Sequence, residues 1–258
     1  MTSAESILLG VVQGLTEFLP ISSSGHLLLF QSMFGMKNLH GLILFDLVCH
    51  VGTLLTILIF FSKQIMTLFR KDRQMLFNLV IGTLPLMGVA ALLPVVEKLF
   101  ATPYWLWLSF LITAALLFSC QHWSMQKAQM RRRDAFLIGC MQGVAVIPGI
   151  SRSGSTIATA KLLGFSRQEA VVFSFLLAIP AILGGLSLKL LQLVLQPEKV
   201  MIADIALKEY FLGFIVSFLA GCCGLYLLMK IIRSDALKYF AWYCIAISLF
   251  CFVNFVLL

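Results

Sequence analysis

Long apolar runs separated by short polar segments dominate this 258-residue chain. Stretches at about 41–61, 75–97, 104–122, 168–190, 210–230 and 239–258 are each long enough to cross a bilayer core, which takes about 20 helical residues. Two further apolar regions are interrupted. Residues 4–19 run into Pro20 and then Ser22-Ser23-Ser24-Gly25, with a short apolar piece at 27–36. Residues 135–147 run into Pro148-Gly149 and Ser151-Arg152-Ser153-Gly154, with another short piece at 155–165. At about 1.5 Å rise per residue each short piece reaches roughly half-way through the membrane. The pattern predicts re-entrant helix hairpins over 4–36 and 135–165. Non-helical backbone at that depth has to be surrounded by protein or a wet cavity.

The two interrupted regions match each other. GVVQGLTEFLPISSSG from Gly10 and GCMQGVAVIPGISRSG from Gly139 align without a gap at an offset of 129. Gly10/Gly139, Gln13/Gln142, Gly14/Gly143, Ile21/Ile150, Ser22/Ser151, Ser24/Ser153 and Gly25/Gly154 are identical pairs. Each copy would carry one hairpin and three crossings, and an odd number of crossings inverts the second copy. The expected fold is an all-α polytopic membrane protein. It is one membrane domain over 1–258, with six transmembrane helices plus two re-entrant hairpins in an inverted-topology repeat of about 1–122 and 135–258. Such repeats are best known from transporters, with the site where discontinuous helices meet.

Composition agrees: 60% of residues are hydrophobic and 12% charged, against about 25% charged in ordinary soluble domains. The opening MTSAESILLG has no basic n-region and reads as mature sequence rather than a removed signal peptide. The net charge of +8 raises the question of nucleic acid, but the charges lie in short inter-span segments. Lys63, Arg70, Lys71 and Arg73 share one, and Lys127 with Arg131, Arg132 and Arg133 another, so no nucleic-acid partner is expected. The basic segments 62–74, 123–134 and 231–238 read as cytoplasmic, which places both termini outside. Seven cysteines without paired spacing read as small buried apolar residues.

Of the eleven acids, only Glu17 and Asp46 fall well within apolar segments. An ionisable residue at membrane depth marks a candidate functional site. Gln13 and Glu17, four apart, share a helix face that leads into Ser22-Ser23-Ser24-Gly25-His26. The second break carries Arg152 among Ser151, Ser153, Ser155 and Thr156. If the hairpin tips meet, a carboxylate, an imidazole, hydroxyls and a guanidinium share one site. That set suits a phosphorylated substrate, since the guanidinium fork matches phosphate oxygens and helix starts after Gly25 and Gly154 would aim N–H groups at an anion. A serine attacks if His26 or Glu17 takes its proton. The competing expectation is structural: serines capping helix ends, Glu17–Arg152 as a plain ion pair, His26 as a satisfied core histidine. Asp46 reads as structural and His40, His50 and His122 as interfacial or packing residues, with Lys161 and Arg167 at a cytoplasmic boundary. Trp105/Trp107 and Trp242/Tyr243 look like interface anchors.

QGLTEFLPISSSGH (13–26) and PGISRSGST (148–156) resemble the two signatures of the bacterial undecaprenyl-diphosphatase family of the BacA type. These are (E/Q)xxxE before a serine-rich turn and His, and PGxSRSxxT, and the resemblance spans the whole chain. It implies hydrolysis of the polyprenyl lipid undecaprenyl diphosphate to the monophosphate and inorganic phosphate in the bacterial cytoplasmic (inner) membrane. That step recycles the carrier for peptidoglycan and other cell-wall polymers and confers bacitracin resistance. It implies Glu17, Ser23, His26 and Arg152 as catalytic residues, with Gln13, Ser22, Ser24, Gly25, Ser151, Ser153 and Thr156 around the substrate. It also implies a divalent cation, Mg²⁺ or Ca²⁺, with Glu17 as its one carboxylate ligand and the substrate phosphates supplying most of the rest. The nucleophile is Ser23 or, as a variant, His26, in a site facing the periplasm. A polyprenyl phosphate transporter or flippase is the alternative, favoured by the repeat alone. A homo-oligomer stays open.

Overall fold

The computed structural model describes residues 1–36, 42–90, 102–121, 129–195, 205–232 and 237–257, together with Val95, Lys98, Leu99 and Lys127. The described residues are mostly helical, with no strand among them. Both interrupted regions are pairs of short helices. α1 (Ser3–Phe18) starts at a capping box, in which Thr2 Oγ1 accepts from Glu5 N–H and Glu5 Oε2 accepts from Thr2 N–H. Its hydrogen-bond ladder ends before Pro20, which has no N–H to continue it. α2 (Ser23–Met33) follows at once. In the second region the plan repeats: α7 (Arg132–Val144) runs into Pro148-Gly149 and α8 (Arg152–Leu162) restarts. At 16, 11, 13 and 11 residues, these four helices span about 24, 16, 20 and 16 Å, each short of a core about 30 Å thick.

The serines are not in the breaks, as the sequence pattern suggests, but form the first turns of the second helices. Ser22 and Ser151 are N-caps whose hydroxyls accept from the N–H groups of Gly25 (3.3 Å) and Gly154 (3.0 Å). The helices therefore start two residues before each glycine, at Ser23 and Arg152, and the two glycine N–H groups are already bonded. The expected free N–H groups after Gly25 and Gly154 give way to these local caps.

The remaining helices are α3 (Ile43–Phe60), α4 (Ser62–Arg70), α5 (Arg73–Ala90), α6 (Leu106–Ser119), α9 (Arg167–Leu195), α10 (Leu207–Ile231) and α11 (Leu237–Phe252). Four helical stretches are long and apolar enough to cross a membrane: Ile43–Phe60, Arg167–Gln192, Leu207–Ile231 and Leu237–Leu257. α6, with the turn at Pro103, is a shorter apolar helix, and α5 contains Pro85. Most of 91–97, His40, His122, and much of the 191–209 and 231–238 connections fall outside the described residues. The basic segment 62–74, expected as a loop, instead contains α4, with Leu68 buried and Met66 and Phe69 exposed. All seven cysteines are free.

Packing crosses between the two halves of the chain. α1 lies along α10, and α7 lies along α5. Glycines make both approaches possible. A Cβ on Gly14 would come within 2.7 Å of Ser217 O, Ala220 Cβ and Gly221 N, and one on Gly139 within 2.1 Å of Gly82 O. The largest apolar cluster joins Phe18 and Ile57 to Phe173, Phe175 and Leu177, so α1, α3 and α9 share a core. Large apolar side chains such as Leu84, Met87, Val194, Leu219, Tyr226 and Trp242 point outward, as a lipid-solvated surface requires.

Candidate active site

The hairpin tips meet. A Cβ on Gly25 would lie 2.7 Å from Gly149 Cα, while one on Gly154 would lie 3.4 Å from Pro20 Cβ. At the 129-residue offset these two contacts exchange into each other, since 25 maps to 154 and 20 to 149. Ser153 Oγ donates to Leu19 O at 3.2 Å, tying the second hairpin to the end of α1. Thr113 on α6 holds the second break, donating to Gly149 O and accepting from Ser151 N–H, both at 3.0 Å.

Glu17 is the centre of the polar cluster. Its Oε2 accepts from Ser23 Oγ at 2.6 Å and from Gln13 Nε2 at 3.0 Å, and its Oε1 accepts from Arg152 Nη2 at 2.5 Å. Arg152 also donates to Ser174 O at 3.3 Å and lies over the Phe175 ring. A carboxylate and a guanidinium taken out of water are tolerable only when paired and hydrogen-bonded in this way. Helix α1 brings Gln13 and Glu17 to one face, α2 brings Ser23, and α8 brings Arg152.

The cluster opens into a cavity of about 240 Å³. Glu17, Ser22, Ser23, Ser24, Ser151, Arg152 and Ser153 line its polar end, and Leu27, Ile43, Leu47, Val146, Ile150 and Ile182 its apolar wall. A polar end with an apolar wall suits an anionic head on a hydrocarbon chain. Gln13 and Thr156 stand behind the lining: Gln13 holds Glu17, while Thr156 Oγ1 meets Ser174 Oγ at 2.5 Å and braces α8 against α9. Gly25 contributes close packing and a bonded N–H rather than a donor to the cavity.

His26 is turned away from the cavity. Its Nδ1 faces Ser22 O at 2.7 Å and its Nε2 meets the Tyr243 hydroxyl at 2.8 Å. The ring stacks on Tyr243 and takes the edge of Phe110, so only 2% of the residue is exposed. Tyr243, expected at the membrane interface, is thus a partner of this histidine. Two residues that the sequence pattern leaves aside do line the cavity. Asp46 accepts from Gln31 Nε2 at 2.7 Å, and His50, one helical turn on, brings its Nε2 to 3.5 Å from Glu17 Oε2. The available signal was their i, i+4 spacing on α3, which puts both on one face.

The donor set does not fit a divalent cation held by the protein. Both Glu17 oxygens are already occupied by donors, and among the described residues no group of three or more His, Cys, Asp or Glu side chains comes together.

Known proteins resemble this chain over nearly its whole length. The model of the family described as bacitracin resistance protein BacA matches residues 6–250. The chain is 46% identical over 250 residues to the undecaprenyl-diphosphatase of Protochlamydia amoebophila, covering 96% of this chain and 97% of that protein. It is 39% identical over 256 residues to the undecaprenyl-diphosphatase of Carboxydothermus hydrogenoformans, covering 94% of each. The protein of the same name from Bacteroides thetaiotaomicron is 38% identical, covering 95% of this chain and 96% of that one. With the polar cluster built from the two signature segments, the chain belongs to the BacA family.

Proposed function

We propose that this protein hydrolyses undecaprenyl diphosphate to undecaprenyl phosphate and inorganic phosphate. It would thereby recycle the lipid carrier of cell-wall polymers and confer bacitracin resistance. One observation carries the chemistry: Glu17 simultaneously holds the Ser23 hydroxyl and the Arg152 guanidinium at the mouth of a half-apolar cavity. An incoming diphosphate competes for Arg152 and leaves Glu17 with Ser23. Ser23 Oγ then attacks the terminal phosphorus as Glu17 takes its proton. The bond from that phosphorus to the bridging oxygen breaks, and the lipid monophosphate departs with the electron pair and the proton. Water attacks the phosphoserine, Glu17 accepts the water's proton and returns it to Ser23 Oγ, and inorganic phosphate leaves. Arg152 holds the charge on the transferred group throughout.

This assignment prefers Ser23 to His26 as nucleophile, because both imidazole nitrogens are engaged outside the cavity. His26 acts instead on the turn, through Ser22 O. No step above needs a protein-held cation.

The architecture we attach to this function has six crossings and two re-entrant hairpins in inverted halves. The protein would sit in the bacterial cytoplasmic membrane with both termini outside and the cavity open to the periplasmic side. The exchanged tip contacts, Gly25 with Gly149 and Gly154 with Pro20, support the inversion. Basic residues on 62–74 and 131–133 support the orientation.

The test is phosphate release from C55 diphosphate by purified protein in detergent, where no transmembrane movement exists. Wild type releases phosphate, while Ser23→Ala and Arg152→Ala lose on the order of a hundredfold to a thousandfold in kcat. A wild type that releases none, indistinguishable from Arg152→Ala, would overturn the hydrolase and leave transport of lipid phosphate.

A further inference from the structure

Two cavity-lining groups, Asp46 and His50, take no part in the catalytic cluster, and His50 is the one that reaches Glu17. His50 lies on α3, outside both signature segments, yet its side chain is 23% exposed into the cavity that holds Glu17 and Arg152. Its Nδ1 is 2.7 Å from Asp46 O, a carbonyl that can only accept, so Nδ1 carries a hydrogen and the ring is fixed on its own helix. Its Nε2 faces Glu17 Oε2, which can also only accept while ionised. The separation of 3.5 Å is beyond an ordinary N–H···O bond, and Ser23 and Gln13 already donate to that oxygen. Nε2 is therefore not consumed by Glu17 and stays open to a group that enters the cavity.

Position settles what that nitrogen meets. Glu17, Ser23 and Arg152 converge on the same polar end of the cavity, and the transferred phosphoryl group has to lie beside Ser23 Oγ. His50 approaches Glu17 from the α3 side, and Arg152 reaches it from α8. We propose that His50 is a substrate-binding residue, its Nε2 hydrogen-bonding an oxygen of the diphosphate from the α3 wall while Arg152 donates from α8. The two histidines then divide their work: His26 holds the turn that presents Ser23, and His50 touches the substrate.

The inference rests on the proposed hydrolase, and its test separates the two. Full-length protein in detergent is assayed with C55 diphosphate as wild type, His50→Leu and His50→Gln. Leucine fills the space without a donor, whereas glutamine places an amide N–H at about the reach of Nε2. His50→Leu should raise KM by on the order of tenfold to a hundredfold, the range for losing a hydrogen bond to a charged group. His50→Gln should return KM to within about threefold of wild type, a rescue that a packing role would not produce. Inhibition by inorganic phosphate is the second measurement, made on wild type and His50→Gln so that it survives a misfolded leucine variant. Its inhibition constant should stay within about threefold between them. Either a His50→Leu enzyme with wild-type KM, or a His50→Gln enzyme whose KM and phosphate inhibition are both weakened tenfold, overturns the assignment. An inactive wild type instead removes the hydrolase itself.

Discussion

The two hairpins use one design and differ in what they place on it. In each, a helix of 13 to 16 residues ends near a proline and an 11-residue helix restarts from a serine N-cap bonded to the N–H three residues on. The side chains proposed to do the chemistry are not repeated. Position 17 is Glu and its counterpart Val146, while position 23 is Ser and its counterpart Arg152. The helices that follow continue the split: α3 lines the cavity with Asp46 and His50, while the same offset on α9 gives Phe175 and Ile179. In the proposed mechanism the first half supplies the carboxylate and nucleophile, and the second supplies the clamp. Symmetry accounts for the meeting of the tips, and departure from it for the ion pair between them.

Making the copies alike is therefore the most damaging change. Glu17→Val gives the first hairpin the residue of the second, and Arg152→Ser does the reverse. Either should lower kcat by on the order of a thousandfold in the phosphate-release assay, through loss of the base or of the phosphate clamp. Each also leaves its partner as an uncompensated charge, buried for Glu17 and half-buried for Arg152, which costs up to about 3–5 kcal/mol. The double variant should be no less inactive but should unfold in detergent at a higher temperature than either single variant, because both charges are gone. Singles that match wild type in thermal unfolding would show that the pair is not buried as described.

The next largest effect tests the contact between the tips. Gly149 has φ of +92°, and a Cβ there would lie 2.5 Å from Ser109 Cβ, on the helix that also bonds its carbonyl through Thr113. Gly149→Ala combines a left-handed backbone with a clash that α6 must move to relieve. A loss of about 2–4 kcal/mol is expected, read as lower yield of folded protein and earlier thermal unfolding. The equivalent position in the first hairpin is Pro20, so the glycine answers a local backbone demand rather than the repeat. Unchanged stability in Gly149→Ala would break that distinction.

Much of this arrangement is legible in the sequence, for physical reasons that also mark its edge. Pro20, Pro148 and Gly149 interrupt the apolar pattern, so both hairpins can be found from local chemistry. Glu17 and Arg152 stand out because charge in an apolar run demands a partner. His26 and His50 are different, because their roles depend on long-range packing. Tyr243, 217 residues away, takes His26 Nε2, and the packing of α3 against α1 brings His50 beside Glu17. No local pattern separates a histidine facing a cavity from one facing a tyrosine. The start of each second helix is hard to read for a finer reason: a serine hydroxyl that caps a helix can look, in sequence, like one left free in a loop.

The smallest expected effect is the sharpest on the comparison, because its sign differs between the copies. Ser22 and Ser151 occupy equivalent N-cap positions, yet Ser22 has φ of 71° and ψ of 99° whereas Ser151 has φ of −70° and ψ of 119°. Ser22 is the one described non-glycine residue at positive φ, and it lies between Glu17 and the proposed nucleophile. A side chain held there stores about 1–3 kcal/mol, which the surrounding contacts have to offset. Glycine removes that strain and forfeits the cap, a loss of only a few tenths of a kcal/mol at this position. Ser22→Gly should therefore unfold later than wild type in detergent, by about 1 kcal/mol, even though it gives up the hydroxyl at the cavity. Ser151→Gly has no strain to relieve, loses the shorter 3.0 Å cap to Gly154, and gains chain entropy on unfolding, so it should unfold earlier by about 1 kcal/mol. Stability changes of the same sign in both variants would mean that the two breaks carry the same strain, and that the unequal hairpins differ only in the side chains they present.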